Sequence, residues 1–225
     1  MGQSDVKTNL EAVQRRIAEA CRRSRRSPQE VTLIAATKSV DSATIEAAFD
    51  LGIRDFGENR VQDANRKIKA LALLQPRPIW HMIGHLQSNK VKMALQLFDV
   101  IQSVDSAQLA EHIQKLGFSD KPVLLQVNVA AEKTKSGFSL YDIEDTLQNT
   151  PILKNLKVKG LMTIAPLVKD PLEVRPIFRQ LRQLRDRFGL EHLSMGMTND
   201  FEVAVEEGAT MVRIGRAIFG ERSGL

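Results

Sequence analysis

The feature that most constrains this chain is a repeated change of period. Eight short runs rich in Val, Ile, Leu or Phe alternate with segments whose apolar residues recur every three or four positions. The runs are VTLIAATK (31–38), DFG (55–57), IWHMIG (79–84), FDVIQSV (98–104), VLLQVNV (123–129), VKGLMTI (158–164), HLSMG (192–196) and MVRIG (211–215). Between them lie helical patterns such as Leu109, Ile113 and Leu116, or Val174, Ile177, Phe178, Leu181, Leu184 and Phe188. Strands that are apolar on both faces and separated by helices pair in parallel, through right-handed crossovers. Eight such units in 225 residues predict one α/β domain, residues 1–225, folded as a single (β/α)8 TIM barrel. An open dinucleotide-binding sheet is the structural rival, but no strand is followed by a G-x-G-x-x-G turn.

Residues 8–26 form an additional amphipathic helix ahead of the first strand, with Leu10, Val13, Ile17 and Cys21 on one face. About ten residues follow the eighth strand, so the extra N-terminal helix is expected to cover part of the place of a final barrel helix.

Hydrophobic residues make up 43% of the chain and charged residues 26%, the balance of a folded globular protein with a substantial core. The sequence contains no run of about 18 apolar residues and no apolar stretch near its N-terminus, so no membrane span is expected and a cytoplasmic location is. The lone Cys21 has no partner for an internal disulfide and reads as a buried, inert thiol. The net charge of +5 comes largely from CRRSRRS (21–27), at the end of the first helix, where cations complement the helix dipole. This is read as a solvated helix end. With one Trp, one Tyr and no basic stripe interleaved with aromatics, nucleic-acid binding is not expected. His81, His85, His112 and His192 show no metal-ligand spacing, and Trp80 reads as core packing.

In a barrel of this kind the C-terminal strand ends gather at one mouth, where ligand sites lie. Here they would bring together Lys38, Gly57-Glu58-Asn59, His81 to His85, Ser103, Asn128, Met162-Thr163, Ser194-Met195-Gly196 and Arg213-Ile214-Gly215-Arg216. A lysine held among apolar walls loses solvation, its pKa falls, and its neutral amine becomes a nucleophile toward carbonyls. Lys38 therefore reads as a Schiff-base lysine, with a surface lysine just past a strand as the competing reading. Near the seventh and eighth strands, SMGMTND (194–200) and RIGRAIFGER (213–222) supply glycine-flanked N–H groups, hydroxyls and helix N-termini, which favour a phosphate dianion. Lysine and phosphate site together suggest an aldehyde-bearing phosphate, pyridoxal 5'-phosphate. A phosphorylated sugar suits the phosphate segments equally well.

Seven blocks in order, TKSV (37–40), FGENRVQD (56–63), WHMIGHLQSNK (80–90), KSGF (135–138), GLMTI (160–164), LSMGMTNDF (193–201) and VRIGRAIFGER (212–222), resemble the YggS/PROSC family of pyridoxal phosphate homeostasis proteins. The resemblance covers nearly the whole chain. It implies the barrel of alanine racemase's N-terminal half without that enzyme's second domain. It also implies that Lys38 forms the internal aldimine, that Asn59 lies near the cofactor, and that His81, Ile83 and Gly84 form the strand-three wall. Met162 and Thr163 would line the strand-six side. Ser194, Gly196 and Met197 would face the phosphate, as would Gly215 and Arg216 through their backbone N–H groups. Arg213 matches the arginine that faces the pyridine nitrogen. Where many relatives carry Ser-x-Asp, this chain has Thr198-Asn199-Asp200, and His85 stands where some relatives have Pro.

An arginine does not give up its proton, so the ring nitrogen would stay unprotonated and the electron sink weak. The resemblance implies a protein that holds pyridoxal phosphate, limits free aldehyde and supplies apoenzymes, without turnover of its own. A racemase-like enzyme is the alternative; it needs a second base, and the single tyrosine, Tyr141, is expected on a helix facing outward. A cofactor-free Schiff-base aldolase would use Lys38 but leaves Arg213 unexplained. No metal is expected, Glu58 reads as ordering local groups rather than as an acid or base, and a monomer is the default.

Overall fold

The computed structural model describes residues 3–132, 134–149 and 156–220. The last two residues of the 212–222 block and the extreme ends of the expected domain lie outside the described residues. Eight strands close into a barrel in sequence order: β1 (Thr32–Ala36), β2 (Asp55–Glu58), β3 (Ile79–Met82), β4 (Val100–Val104), β5 (Val123–Gln126), β6 (Val158–Met162), β7 (His192–Ser194) and β8 (Met211–Ile214). Every neighbouring pair is parallel, and β8 closes on β1 with Ile34 beside Arg213. The predicted (β/α)8 barrel is the observed fold, and each apolar run contains its strand or overlaps it.

Among the described residues the helices are α1 (Gln3–Arg23), α2 (Ser42–Asp50), α3 (Val61–Ala70), α4 (Val91–Leu97), α5 (Ala107–Lys115), α6 (Leu140–Asn149), α7 (Arg175–Arg187), α8 (Phe201–Glu206) and α9 (Arg216–Phe219). Among the described residues no helix is long and apolar enough to cross a membrane. The large core lies between the strands and this helical layer. A second, small cluster of Ile34, Leu124, Met162 and Met211, with Ile164 packed against it, fills the barrel interior. Period-two alternation separates the two, because one face of each strand looks into the barrel and the other toward the helices.

Helix α1 buries Val6, Leu10, Val13, Ile17, Ala20 and Cys21, the predicted face extended toward the N-terminus. It packs against α2, α8 and α9, the position predicted for it. The helix stops at Arg23, earlier than the expected residue 26, because Arg25 turns left-handed at φ 57°. The Arg26 N–H then bonds the Cys21 carbonyl at 2.9 Å, a C-terminal motif more often built on glycine and so invisible to periodicity. The basic stretch is also more than a solvated end. Arg23 pairs with Glu206 at 2.6 Å, and Arg26 donates to the Val205 carbonyl at 2.7 Å, tying α1 to the C-terminal turn of α8. On the other side of α8, Arg175, Arg179 and Arg182 converge on the buried Glu207 at 3.1, 3.1 and 3.4 Å.

One buried clamp fixes the mouth end of β1. Glu58 Oε1 accepts from the Thr37 hydroxyl and from Lys67 Nζ, each at 2.6 Å, and Lys67 also donates to the Thr37 carbonyl at 2.8 Å. Glu58 thus orders its neighbours, as its isolated position suggested. Glu58→Gln keeps an acceptor for Thr37 but strands the largely buried Lys67 charge. It should destabilise the protein by about 3–5 kcal/mol in urea unfolding, and an unchanged midpoint would remove the clamp from the account.

Candidate functional site

Strand β1 pairs only as far as Ala36, Thr37 is drawn down onto Glu58, and Lys38 falls in the turn before α2, where Ser39 takes φ 66°. Lys38 is exposed rather than walled by apolar side chains, which corrects the expectation that burial activates it. The reason is geometric: it stands one residue above the last enclosed level of the barrel. Its backbone is nevertheless held, because the Thr37 N–H bonds the Gly57 carbonyl at 2.9 Å and the clamp grips Thr37 from below.

Arg213 is the opposite case. It is 4% exposed inside β8, and burial pushes it down to about 10, against the opposing pull of Asp200, so it remains a cation at neutral pH. Its Nη1 donates to Ser194 Oγ at 2.6 Å and its Nη2 to the Thr163 carbonyl at 2.7 Å. The Ser194 hydroxyl donates in turn to Gln102 Oε1 at 2.6 Å. Gln102 Nε2 meets His81 Nδ1 at 3.0 Å, and His81 Nε2 meets Asp55 Oδ1 at 2.9 Å. Two site expectations change. The Ser194 hydroxyl, expected at the phosphate, is committed to Arg213 and Gln102. His81, expected as a wall, is 2% exposed and bonded on both ring nitrogens.

The segment after β7 turns sharply. Gly196 has φ 92°, and a Cβ there would come within 2.6 Å of Ala204 Cβ, so only glycine fits. The Met197 N–H is donated to Asp200 Oδ1 at 2.6 Å, while Phe201 N–H bonds the Met197 carbonyl at 2.9 Å. Asp200 is buried, and burial raises its carboxyl above the usual range, opposed by the Met197 hydrogen bond and by Arg213. After β8, Gly215 packs so closely on β1 that a Cβ would lie 3.0 Å from the Ala36 carbonyl oxygen. The Gly215 carbonyl accepts from Ile218 and Phe219, so the N–H groups of Arg216 and Ala217 open α9 ahead of its first internal bonds.

Across the mouth, Gly84 lies against β2's exit: a Cβ would sit 2.5 Å from the Asn59 carbonyl oxygen. Ile83 enters the space that Gly57 leaves, since a Cβ on Gly57 would meet Ile83 Cδ1 at 2.7 Å. Asn59, Gly84 and His85 line both a cavity of about 290 Å³, shared with Gln126, Lys135 and Ile164, and a neighbouring one of about 600 Å³, shared with Arg60, Gln87 and Lys90. Met162 belongs to the interior floor, and Thr163 contributes its carbonyl, because its hydroxyl donates to the Val127 carbonyl at 2.7 Å. Asn128 shapes its own loop through Glu132 and Lys135, and Ser103 Oγ is buried without a hydrogen-bond partner. His85 is a surface residue paired with Asp105 at 3.0 Å, Trp80 is core against Phe56, and Tyr141 is 81% exposed on α6.

Sequence reading missed Gln102, Asp55 and Asp200. Gln102 left a signal, a lone amide inside the apolar run FDVIQSV. Asp55 and Asp200 left none, since Asp55 merely opens the second strand run and Asp200 stands at an ordinary turn position.

Residues 8–223 match the family model described as alanine racemase, N-terminal domain. The chain is 45% identical over 222 residues to a pyridoxal phosphate homeostasis protein of Aquifex aeolicus, covering 95% of this chain and 96% of that one. Among solved structures, PipY of Synechococcus elongatus PCC7942 with pyridoxal phosphate bound superimposes with a TM-score of 0.77 at 38% identity, covering 91% of this chain and all of that one. An alanine racemase from Bartonella henselae matches at a TM-score of 0.75 but 14% identity, covering the whole of this chain and 64% of that one, a likeness of fold alone.

Asp200 offers a check on the electrostatics of the mouth. Its folded-state carboxyl is raised above the ordinary value of 3.8, so the fold holds this proton more tightly than the unfolded chain does. The stability it contributes is present below the unfolded value and is lost as pH rises through the folded one. Asp200→Asn should therefore gain on the parent protein as pH rises toward neutrality. A gap in unfolding free energy that moves the other way would mean that the Arg213 charge outweighs burial at this carboxylate.

Proposed function

We propose that this chain, which belongs to the pyridoxal phosphate homeostasis family built on the alanine racemase N-terminal domain, binds pyridoxal 5'-phosphate and takes part in intracellular vitamin B6 homeostasis. The group supplies an aldehyde that condenses reversibly with a primary amine, with loss of water, and a phosphate that needs hydrogen-bond donors. The donor set of the mouth fits it. Lys38 Nζ, on a backbone fixed by the Thr37 clamp, is the amine. The segments after β7 and β8 are the phosphate side, with the Thr198 hydroxyl and the N–H groups of Arg216 and Ala217 as donors. The Met197 N–H serves only if Asp200 releases it. Asn59, Ile83, Gly84 and Met162 shape the opposite wall and floor.

Arg213 is the observation that carries this reading. A buried guanidinium with donors left over after Ser194 and Thr163 presents N–H groups to an acceptor such as a pyridine nitrogen, and keeps that nitrogen unprotonated. Transaminase-like enzymes, which draw electrons strongly into the ring, place an acidic residue there. Arg213 weighs against transaminase-like chemistry and the outward Tyr141 against a racemase's second base, which favours a holding and supplying role toward apoenzymes in the cytoplasm. A monomer is the form proposed for it.

The test is the visible absorbance of the purified protein, followed by borohydride reduction and peptide mass mapping. The parent protein should be yellow with the reduced adduct on Lys38, and Lys38→Ala should lose the band while keeping its thermal midpoint. A band that survives the substitution would place the attachment elsewhere. A colourless parent that takes up no added pyridoxal phosphate would favour a Schiff-base aldolase acting on a sugar phosphate.

A further inference from the structure

The polar groups buried between Arg213 and Asp55 can be oriented one by one. Arginine has donors and no acceptor, so Ser194 Oγ, 2.6 Å from Nη1, must accept. The single Ser194 proton then goes to Gln102 Oε1 at 2.6 Å, which turns the amide nitrogen toward His81 Nδ1 at 3.0 Å. An amide NH2 only donates, so Nδ1 must accept, and the ring proton sits on Nε2, 2.9 Å from Asp55 Oδ1. The four bonds run in one direction, from the cation on β8 to the carboxylate on β2. Turning the amide over would leave the serine proton without an acceptor and oppose the imidazole lone pair to a carboxylate. Gln102 is fully buried, and among the described residues its other neighbour of this kind is Met211 Sδ at 3.6 Å.

We infer that Gln102 is the positioning residue of the site: through the Ser194 hydroxyl it holds the Arg213 guanidinium in the orientation that faces a bound pyridine nitrogen. The inference rests on the pyridoxal phosphate reading for the identity of that ligand, but not for the chain of donors itself. Gln102 touches Arg213 only through Ser194 and acts by removing the serine's freedom to rotate. Thr163 fixes the second nitrogen of the fork, so loss of the Gln102 contact leaves one of the two tethers, the Ser194 hydroxyl, free to turn.

Two measurements test it. In the cofactor-free protein, nitrogen NMR of labelled histidine should find His81 as the Nε2–H tautomer, and Gln102→Glu, which has no proton to donate, should place a proton on Nδ1. An Nδ1–H tautomer in the parent, or the same ring state in both proteins, would overturn the chain. In pyridoxal phosphate titrations, Gln102→Leu and Ser194→Ala should each weaken binding about tenfold, whereas Gln102→Glu, which keeps the serine's acceptor, should stay within about twofold of the parent. The double variant Gln102→Leu/Ser194→Ala should lose no more than the worse single one, because both break one chain. Losses that multiply, or an unchanged affinity in Ser194→Ala, would overturn the positioning role even if Gln102→Leu fails to fold. A parent that binds no pyridoxal phosphate would sink the cofactor reading and the positioning role with it, while the tautomer result would still decide whether the chain of donors exists.

Discussion

The burial of one cation organises the inside of this barrel. Removing a guanidinium from water costs on the order of several kcal/mol unless each of its donors finds a partner. Arg213 meets part of that demand directly, with a hydroxyl from β7 and a carbonyl from the end of β6, and the hydroxyl is held in turn by a chain of an amide, an imidazole and a carboxylate from β4, β3 and β2. Five of the eight strands supply a side chain to this arrangement, and the apolar cluster of Ile34, Leu124, Met162 and Met211 fills what remains. The interior is therefore divided between a dry floor and one polar chain. A barrel packed only with aliphatic layers would be the simpler solution, and the departure from it is what marks this end of the molecule as a site.

Above that level the mouth divides its labour. On the β1–β2 side a buried ion pair, Glu58 with Lys67, locks Thr37 and so fixes the chain on which Lys38 stands. On the β7–β8 side glycine turns and short helices bring backbone N–H groups to the surface. The β5 side is self-contained, its Gln126 and Asn128 amides being bonded to the loop that follows. Rigid support beneath an exposed amine suits a group that must be reached and released. The outer layer contributes stiffness by a separate route, with α1, α7 and α8 joined through the arginines that surround Glu206 and Glu207.

The period of the apolar residues was enough to determine the barrel. A run that is apolar on both faces has to be covered on both, and eight such runs separated by helices leave parallel closure as the economical way to do it. The α1 face, the place of Lys38 at the end of the first apolar run and the glycines after β7 and β8 were legible for the same reason: local spacing and turn chemistry depend on neighbours in the chain. Tertiary structure decided what those residues do. Ser194 and Gln102 are 2.6 Å apart yet 92 positions apart in sequence, and no pattern in either segment announces that they share a proton. The exposure of Lys38 turned on where β1 stops pairing, and the partners of Arg23 and Arg26 on which helix end faces α1. Periodicity reports which side of an element is buried. Hydrogen-bond partners are chosen across the barrel, by strand tilt and register, and those exist only once the sheet has closed.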